Sequence, residues 1–523
     1  MGNAAAILPA QSFKRPWSGL QATEQLPPSP SGKPAHNILF VTPEITDLVK
    51  VGGLGDVSAA LPRALAEHHQ VRILIPGYPQ VIRSGLPIRV VGKLPGLGAI
   101  PPCLIGEITL PDKLIVHVVL CQQLYDREGS PYGDREGIDW PDNHIRFARL
   151  ALAASRIAAG QGVRGWQPDL VHAHDWPTGL TPAYMAWSGQ STPCVFTIHN
   201  LAYQGLCSAE SLVELGLPDE ATSTLRMGDD GDLSFLKAGI NYATRITTVS
   251  QTYAHEITSQ AYGCGLESLL RRKASEGLLS GHVNGIDSSW NSRQDPRLVQ
   301  GFAPNQWLGK RANLRYAERS FGLTEDDSPL FAVVSRLVHQ KGIDLTIAAA
   351  ESIIAEGGRI AIIGEGERPL EHEVEALARR HPGRVGVKLN FCETEARRLI
   401  AGSDFLLMPS RYEPCGLSQI YAQCYGSLPI ARRTGGLADT IEDGVSGFLF
   451  RDSSLDSYLP AIRRALNVHR RPLLLNAMRC KAMAAPLYWH QSVKPYDRLY
   501  RRLIEGTYDA FSPRGGRSLA CAN

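Results

Sequence analysis

From residue 37 onward the chain alternates short, wholly apolar runs with longer amphipathic segments, and the alternation occurs in two successive series. Apolar runs too short for a buried helix, each followed by a helical pattern, predict parallel strands joined by crossover helices. The first series predicts strands over 37–42, 71–75, 114–120, 170–172, 194–198 and 245–249, with helices over 54–67 and 143–159. The second predicts strands over 330–335, 359–363, 385–389, 405–408 and 428–431. The expected fold class is therefore α/β, with two Rossmann-like doubly wound domains facing a cleft. Residues 1–36 read as a flexible leader, 37–280 as the first domain and 281–488 as the second. A helical, aromatic-rich segment follows over 489–505, and 506–523 read as a flexible tail.

At 523 residues the chain has length for two such domains. Lys plus Arg number 54 against 51 for Asp plus Glu, and a net charge of +3 argues against a nucleic-acid partner. No apolar run is long enough to span a membrane, so no membrane partner is expected. The ten cysteines are scattered without a CxxC pair, which points to reduced thiols in a cytoplasmic protein. The leader is proline-rich, has Glu24 as its one acid, and carries only a short apolar run over 4–10, unlike a secretory signal. A transit peptide, and with it a plastid location, is the alternative.

In doubly wound folds ligands gather beyond the carboxyl ends of the strands. Beyond the first strand stand Lys50, Gly52, Gly53 and Asp56, where glycines permit close backbone approach and a helix start offers N–H groups to an anion. The glycines lie too far past the strand for a dinucleotide fingerprint. HAHDW (172–176) follows the fourth strand and brings Asp175 to the sheet edge, and His199-Asn200 ends the next strand. HAH alone is also compatible with a metal-dependent hydrolase, but no partner cluster at ligand spacing completes a metal site. Arg336 ends the strand LFAVVS and Lys341 opens the following helix, a pair of cations suited to a diphosphate. Glu413, Cys415, Gly416, Leu417 and Ser418 join a strand to a helix, and TGGL (434–437) repeats that device one unit later. Each motif alone reads as an ordinary turn or a solvated basic loop. Four in register along one cleft do not.

The assembled segments closely resemble the bacterial glycogen synthases and plant starch synthases. They are KVGGLGDV (50–57), LYDREGSPYGD (124–134), HAHDW (172–176), FTIHNLAYQG (196–205), VNGID (283–287), VVSRLVHQKGIDL (333–345), PSRYEPCGLSQIYA (409–422) and RRTGGLADTI (432–441). The resemblance runs in order from about residue 37 to 505. It implies the GT-B glycosyltransferase fold, with the final helix crossing back onto the first domain. It also implies retaining transfer of glucose from ADP-glucose to the non-reducing end of an α-1,4-glucan such as glycogen, with no cofactor and no metal.

By the same resemblance Lys50, Gly52 and Gly53 match the donor-phosphate loop, with Asp56 beside it. Arg336 and Lys341 match the diphosphate cations, Glu413 the carboxylate near the transferred glucose, and His199 the histidine at the sugar's C6 side. Asp175, Asn200 and Asn284 match the glucose pocket, and Cys415 to Ser418 the helix start beneath the phosphate. Three positions depart from the family pattern: Pro177 for a frequent histidine, Phe391 for a base-flanking tyrosine, and Ser292 for a proline. The rival expectations are a transferase of the same fold with another nucleotide sugar or acceptor, the HAHD hydrolase, and a glucan-binding protein without activity. Glu413 is the one obvious carboxylate among the cleft motifs, so a two-carboxylate double displacement is not expected.

Overall fold

A computed structural model describes residues 36–228, 231–484 and 487–506. The readings made for 1–35 and 507–523 lie outside the described residues. Among the described residues the first series forms a nine-stranded sheet. From one edge its order is Leu279–Gly281, Arg245–Thr248, Cys194–Ile198, Leu170–His174, Asn37–Val41, Gln70–Pro76, Ile115–Leu120, Cys103–Thr109 and Arg89–Leu94. The first seven run parallel, and the last two add antiparallel. Ile38, Leu39, Phe40 and Val41 are wholly buried because helices cover both faces, which is why this strand reads as a continuous apolar run. Cys103–Thr109 instead alternates buried and exposed residues, as an antiparallel extension with one wet face does.

The second series forms a six-stranded, all-parallel sheet ordered Val385–Lys388, Arg359–Ile363, Leu330–Val334, Phe405–Met408, Leu428–Arg432 and Phe448–Phe450. Separate apolar clusters cover its two faces. Arg359 opens a central strand yet is fully buried. Its two terminal nitrogens meet the equally buried Glu318 at 2.5 Å and the carbonyl oxygens of Thr324 and Ser328, so the buried charge is paired.

Two connections run side by side between the sheets. Ile286 donates its N–H to the Leu487 carbonyl at 2.7 Å, and a Cβ at Gly285 would meet the Trp489 nitrogen at 2.6 Å. Beyond this crossing the helix Lys494–Ile504 packs into the first domain, where Tyr496, Leu499 and Tyr500 join its apolar core. No helix among the described residues is long and apolar enough to cross a membrane.

Candidate active site

The loops beyond the carboxyl ends of both sheets meet along one cleft. On the first domain, the helix Gly53–Ala66 begins after an extended Gly52. Its first turn sits on a carboxylate that the motif reading passed over. Glu44 Oε2 accepts the N–H groups of Val51 at 2.6 Å and Gly52 at 3.0 Å, and Oε1 accepts the Tyr132 hydroxyl at 3.2 Å. The Gly52 N–H is thus already engaged, whereas the reading left it for a ligand. The reason is local: the strand end turns Glu44 inward beneath the glycines. Lys50 is paired as well, its Nζ 2.6 Å from Asp56 Oδ1, which also accepts the Thr46 hydroxyl at 3.0 Å.

The strands Leu170–His174 and Cys194–Ile198 carry a column of imidazoles. His172 lies between two hydroxyls, with Nε2 2.6 Å from Thr197 and Nδ1 2.5 Å from Tyr500. His174 Nδ1 lies 3.0 Å from His199 Nε2, and the Phe40 ring stacks on His174 with centroids 4.0 Å apart. Burial lowers all three imidazoles, His199 to about 3, so they stay neutral at physiological pH. With both nitrogens of His172 engaged by protein hydroxyls, the HAH pair is built into the sheet edge. Among the described residues no group of three or more His, Cys, Asp or Glu is arranged to hold a metal ion.

Asp175 follows with φ 60° and ψ 178°, a positive-φ backbone outside the αL well that is strained for any residue but glycine. Burial pushes its carboxyl up to about 7, against the opposing pull of the backbone N–H groups of Trp176, Asn200 and His199. Glu44 adds to the rise, so two buried carboxyls share this side of the cleft. Asn200 turns its Oδ1 to the Ala202 N–H at 3.1 Å.

The second domain supplies charge. Arg336 stands exposed just past the strand Leu330–Val334, with no ion pair among the described residues. Lys341 reaches back to Glu413, Nζ to Oε2 2.6 Å, and Ser410 donates to the same oxygen at 3.1 Å. Gly342 after Lys341 has φ 68°, and a Cβ there would strike the Pro409 carbonyl at 2.2 Å. Only glycine lets the two loops approach so closely. The turn Cys415-Gly416-Leu417 leads into the helix Ser418–Cys424, with Ser418 donating to the Val334 carbonyl at 3.4 Å. Asn284, nearly buried at the crossing, lies against Cys415, whose thiol burial raises to about 12. Phe391 projects with 54 % of its surface exposed, just past the strand Val385–Lys388.

Direct contacts tie the halves together. Ser250 donates to the Pro414 carbonyl at 2.5 Å, and Thr252 donates to Asp439. Glu256 accepts from the Thr434 hydroxyl at 2.8 Å and the Gly435 N–H at 3.1 Å. Arg432 donates to the Tyr262 hydroxyl at 3.0 Å. The structure therefore brings Lys50, Asp56, Asp175, His199, Asn200, Asn284, Arg336, Lys341, Glu413 and the 415–418 turn to the same edge of the two sheets. Glu44, Tyr132 and Glu256 are the participants that motif reading missed.

Two doubly wound domains that present phosphate-suited loops and a cation–carboxylate pair across one cleft define a glycosyltransferase of the GT-B fold. Residues 37–272 match the starch synthase catalytic domain family, and residues 316–477 match glycosyl transferases group 1. The chain belongs to the starch and glycogen synthase family. It is 64% identical over 473 residues to a glycogen synthase of Pseudomonas aeruginosa, covering 90% of this chain and 92% of that one. It is 58% identical over 484 residues to the Pseudomonas putida glycogen synthase, covering 92% and 93%. Among solved structures it resembles the catalytic domain of starch synthase IV from Arabidopsis thaliana bound to ADP and acarbose, with a TM-score of 0.79 and 30% identity. That match covers 90% of this chain and 99% of the other. Sucrose-phosphate synthase from Thermosynechococcus elongatus shares the fold at a TM-score of 0.58 and 18% identity, covering 90% and 100%.

Proposed function

We propose that this chain transfers glucose from ADP-glucose to the non-reducing end of an α-1,4-glucan such as glycogen, with retention of the α configuration. The observation that carries the reading is the Lys341–Glu413 pair, held at 2.6 Å and flanked by Arg336 and the 415–418 turn. Arg336 and Lys341 take the diphosphate, and their charge stabilises the leaving phosphate as its bond to the glucose C1 breaks. Glu413 places one carboxylate beside the sugar carbon that gains positive character. The acceptor 4-hydroxyl forms the new bond to C1 on the same face, and its proton passes to the departing phosphate oxygen. Atoms and charge balance with no cofactor. His199, Asn200, Asp175 and Asn284 hold the glucose, His199 as a neutral hydrogen-bonding group at its C6 side.

The nine described cysteines are all free, which fits a reducing compartment, and we assign the protein to the bacterial cytoplasm. The test is incorporation of labelled glucose into glycogen from ADP-glucose and UDP-glucose side by side. Preferred incorporation from ADP-glucose is expected. No incorporation from either donor would sink the reading, and a preference for UDP-glucose would move the donor assignment.

A further inference from the structure

Glu44 is a buried carboxylate, 3% exposed, that the scheme above does not use. Its Oε2 accepts two consecutive N–H groups of the glycine loop, and Tyr132 occupies its Oε1. Two successive N–H groups converging on one oxygen make the kind of backbone nest that elsewhere holds a phosphate. Here the chain fills that nest with its own anion.

The next residue explains the fit. A Cβ at Gly55 would stand 3.1 Å from Glu44 Oε2, 3.2 Å from Lys50 Cγ and 3.3 Å from Thr46 Oγ1, so any larger residue would press on the carboxylate and its neighbours. The Gly55 N–H goes to the Gly52 carbonyl at 3.2 Å and its carbonyl accepts from Thr46 at 3.1 Å. The N–H groups of Val51, Gly52 and Gly55 are therefore all engaged. Those of Gly53 and Leu54, the first two of a fourteen-residue helix, have no acceptor among the described residues.

We infer that Glu44 is a positioning residue for this loop: by holding the Val51 and Gly52 N–H groups it turns those of Gly53 and Leu54 toward the donor's phosphate. The inference rests on the reading of the loop as a donor-phosphate contact. A loop of this composition, Val-Gly-Gly-Leu-Gly, has wide conformational freedom. A fixed internal anion removes that freedom before the donor arrives, so less ordering is left for binding. The negative charge does not repel the donor strongly, because two N–H groups and a phenol engage it and it is withdrawn from solvent. Burial raises its carboxyl above the ordinary range, against the opposing pull of those same groups.

Two substitutions in the full chain separate this role from mere support. Glu44→Gln keeps the shape and removes the charge. It should speed amide hydrogen exchange at Val51 and Gly52 about tenfold while the strand Asn37–Val41 exchanges as before. It should also raise the KM for ADP-glucose about tenfold, with the KM for glucan within about twofold. Gly53→Pro deletes one free N–H at the first helical position, where proline is tolerated, after an extended residue and with nothing within 4 Å of its Cβ. It should raise the KM for ADP-glucose about as much while leaving exchange in residues 57–66 unchanged, and it stands as the test if Glu44→Gln does not fold. Unchanged loop exchange in Glu44→Gln overturns the inference. So does an unchanged donor KM in either folded variant. A wild-type chain that fails to use ADP-glucose refutes the proposed function instead, and the exchange experiment still reads whether Glu44 orders the loop.

Discussion

The two sides of the cleft are built from opposite materials. The first domain presents groups that burial has made neutral: three imidazoles held below their ordinary range and an Asp175 carboxyl raised to about 7. The second presents permanent charge, with Arg336 exposed and Lys341 bonded to Glu413. Neutral groups deep in a sheet edge suit the recognition of hydroxyls, where hydrogen-bond direction matters more than net charge. Exposed cations suit a leaving diphosphate whose charge grows during reaction. In the proposed scheme the first domain thus takes most of the sugar recognition and adds its glycine-loop N–H groups to the phosphate, the second supplies the charge for its departure, and neither domain alone holds a complete site.

The sharpest way to break this contrast is to remove charge from the second side. Lys341→Ala should lower turnover by two to three decades with the fold intact, the effect of roughly 2–4 kcal/mol lost at developing charge. Near-normal turnover would show that the diphosphate is held elsewhere. Glu413→Gln should lower turnover by about two decades while ADP affinity stays within a few-fold of normal. Kinetics and ADP calorimetry on that one variant decide between a carboxylate acting on the sugar and one that merely shapes the loop, since the latter loses ADP binding too.

The first side should respond to pH where the second does not. In the folded protein Asp175 keeps its proton up to about 7, whereas the unfolded chain releases it near 3.8. Its contribution therefore favours the folded state at low pH and is lost as pH rises from about 4 to about 7. Asp175→Asn should flatten that decline in melting temperature and remove an inflection near 7 from the pH profile of kcat/KM. His199, lowered to about 3, should contribute no inflection between pH 5 and 8. A profile in which His199→Gln abolishes a step near 6.5 would contradict its neutral state.

Smaller effects sharpen the boundary between the sides. Glu256→Ala removes the acceptor of the Thr434 hydroxyl and the Gly435 N–H and should cost about 1 kcal/mol, as loss of a helix cap does, with turnover reduced only a few-fold. The smallest expected effect is none. Side chains and helix starts meet the donor's charge in the proposed scheme, so EDTA should leave turnover unchanged, and loss of activity restored by one metal would reopen the HAHD hydrolase reading.

Most parallel strands were legible because burial on both faces writes them as continuous apolar runs, as in Arg359–Ile363, whereas Phe448–Phe450, equally buried but three residues long, was passed over. The strands Arg89–Leu94 and Leu279–Gly281 were not, since one is half exposed and the other is three residues long with no apolar run. Site residues carried by glycine turns or paired cations, such as Lys341 and Gly416, stood out by composition. Glu44 did not, because a lone glutamate after a strand has no spacing signature and its partners are backbone N–H groups. Tyr500 is equally silent: its hydroxyl meets His172 across 328 positions of sequence.

That last contact sets a rule for how the molecule is made. The first domain's core includes Trp489, Val493, Tyr496 and Tyr500, which the ribosome delivers only after the whole second domain. Domains generally fold in the order they emerge. Here the earlier one waits on the later, holding the His172 imidazole without its phenol until synthesis is nearly done. An incomplete chain therefore leaves the His172 imidazole without its phenol and the first domain's core open until the last helix docks.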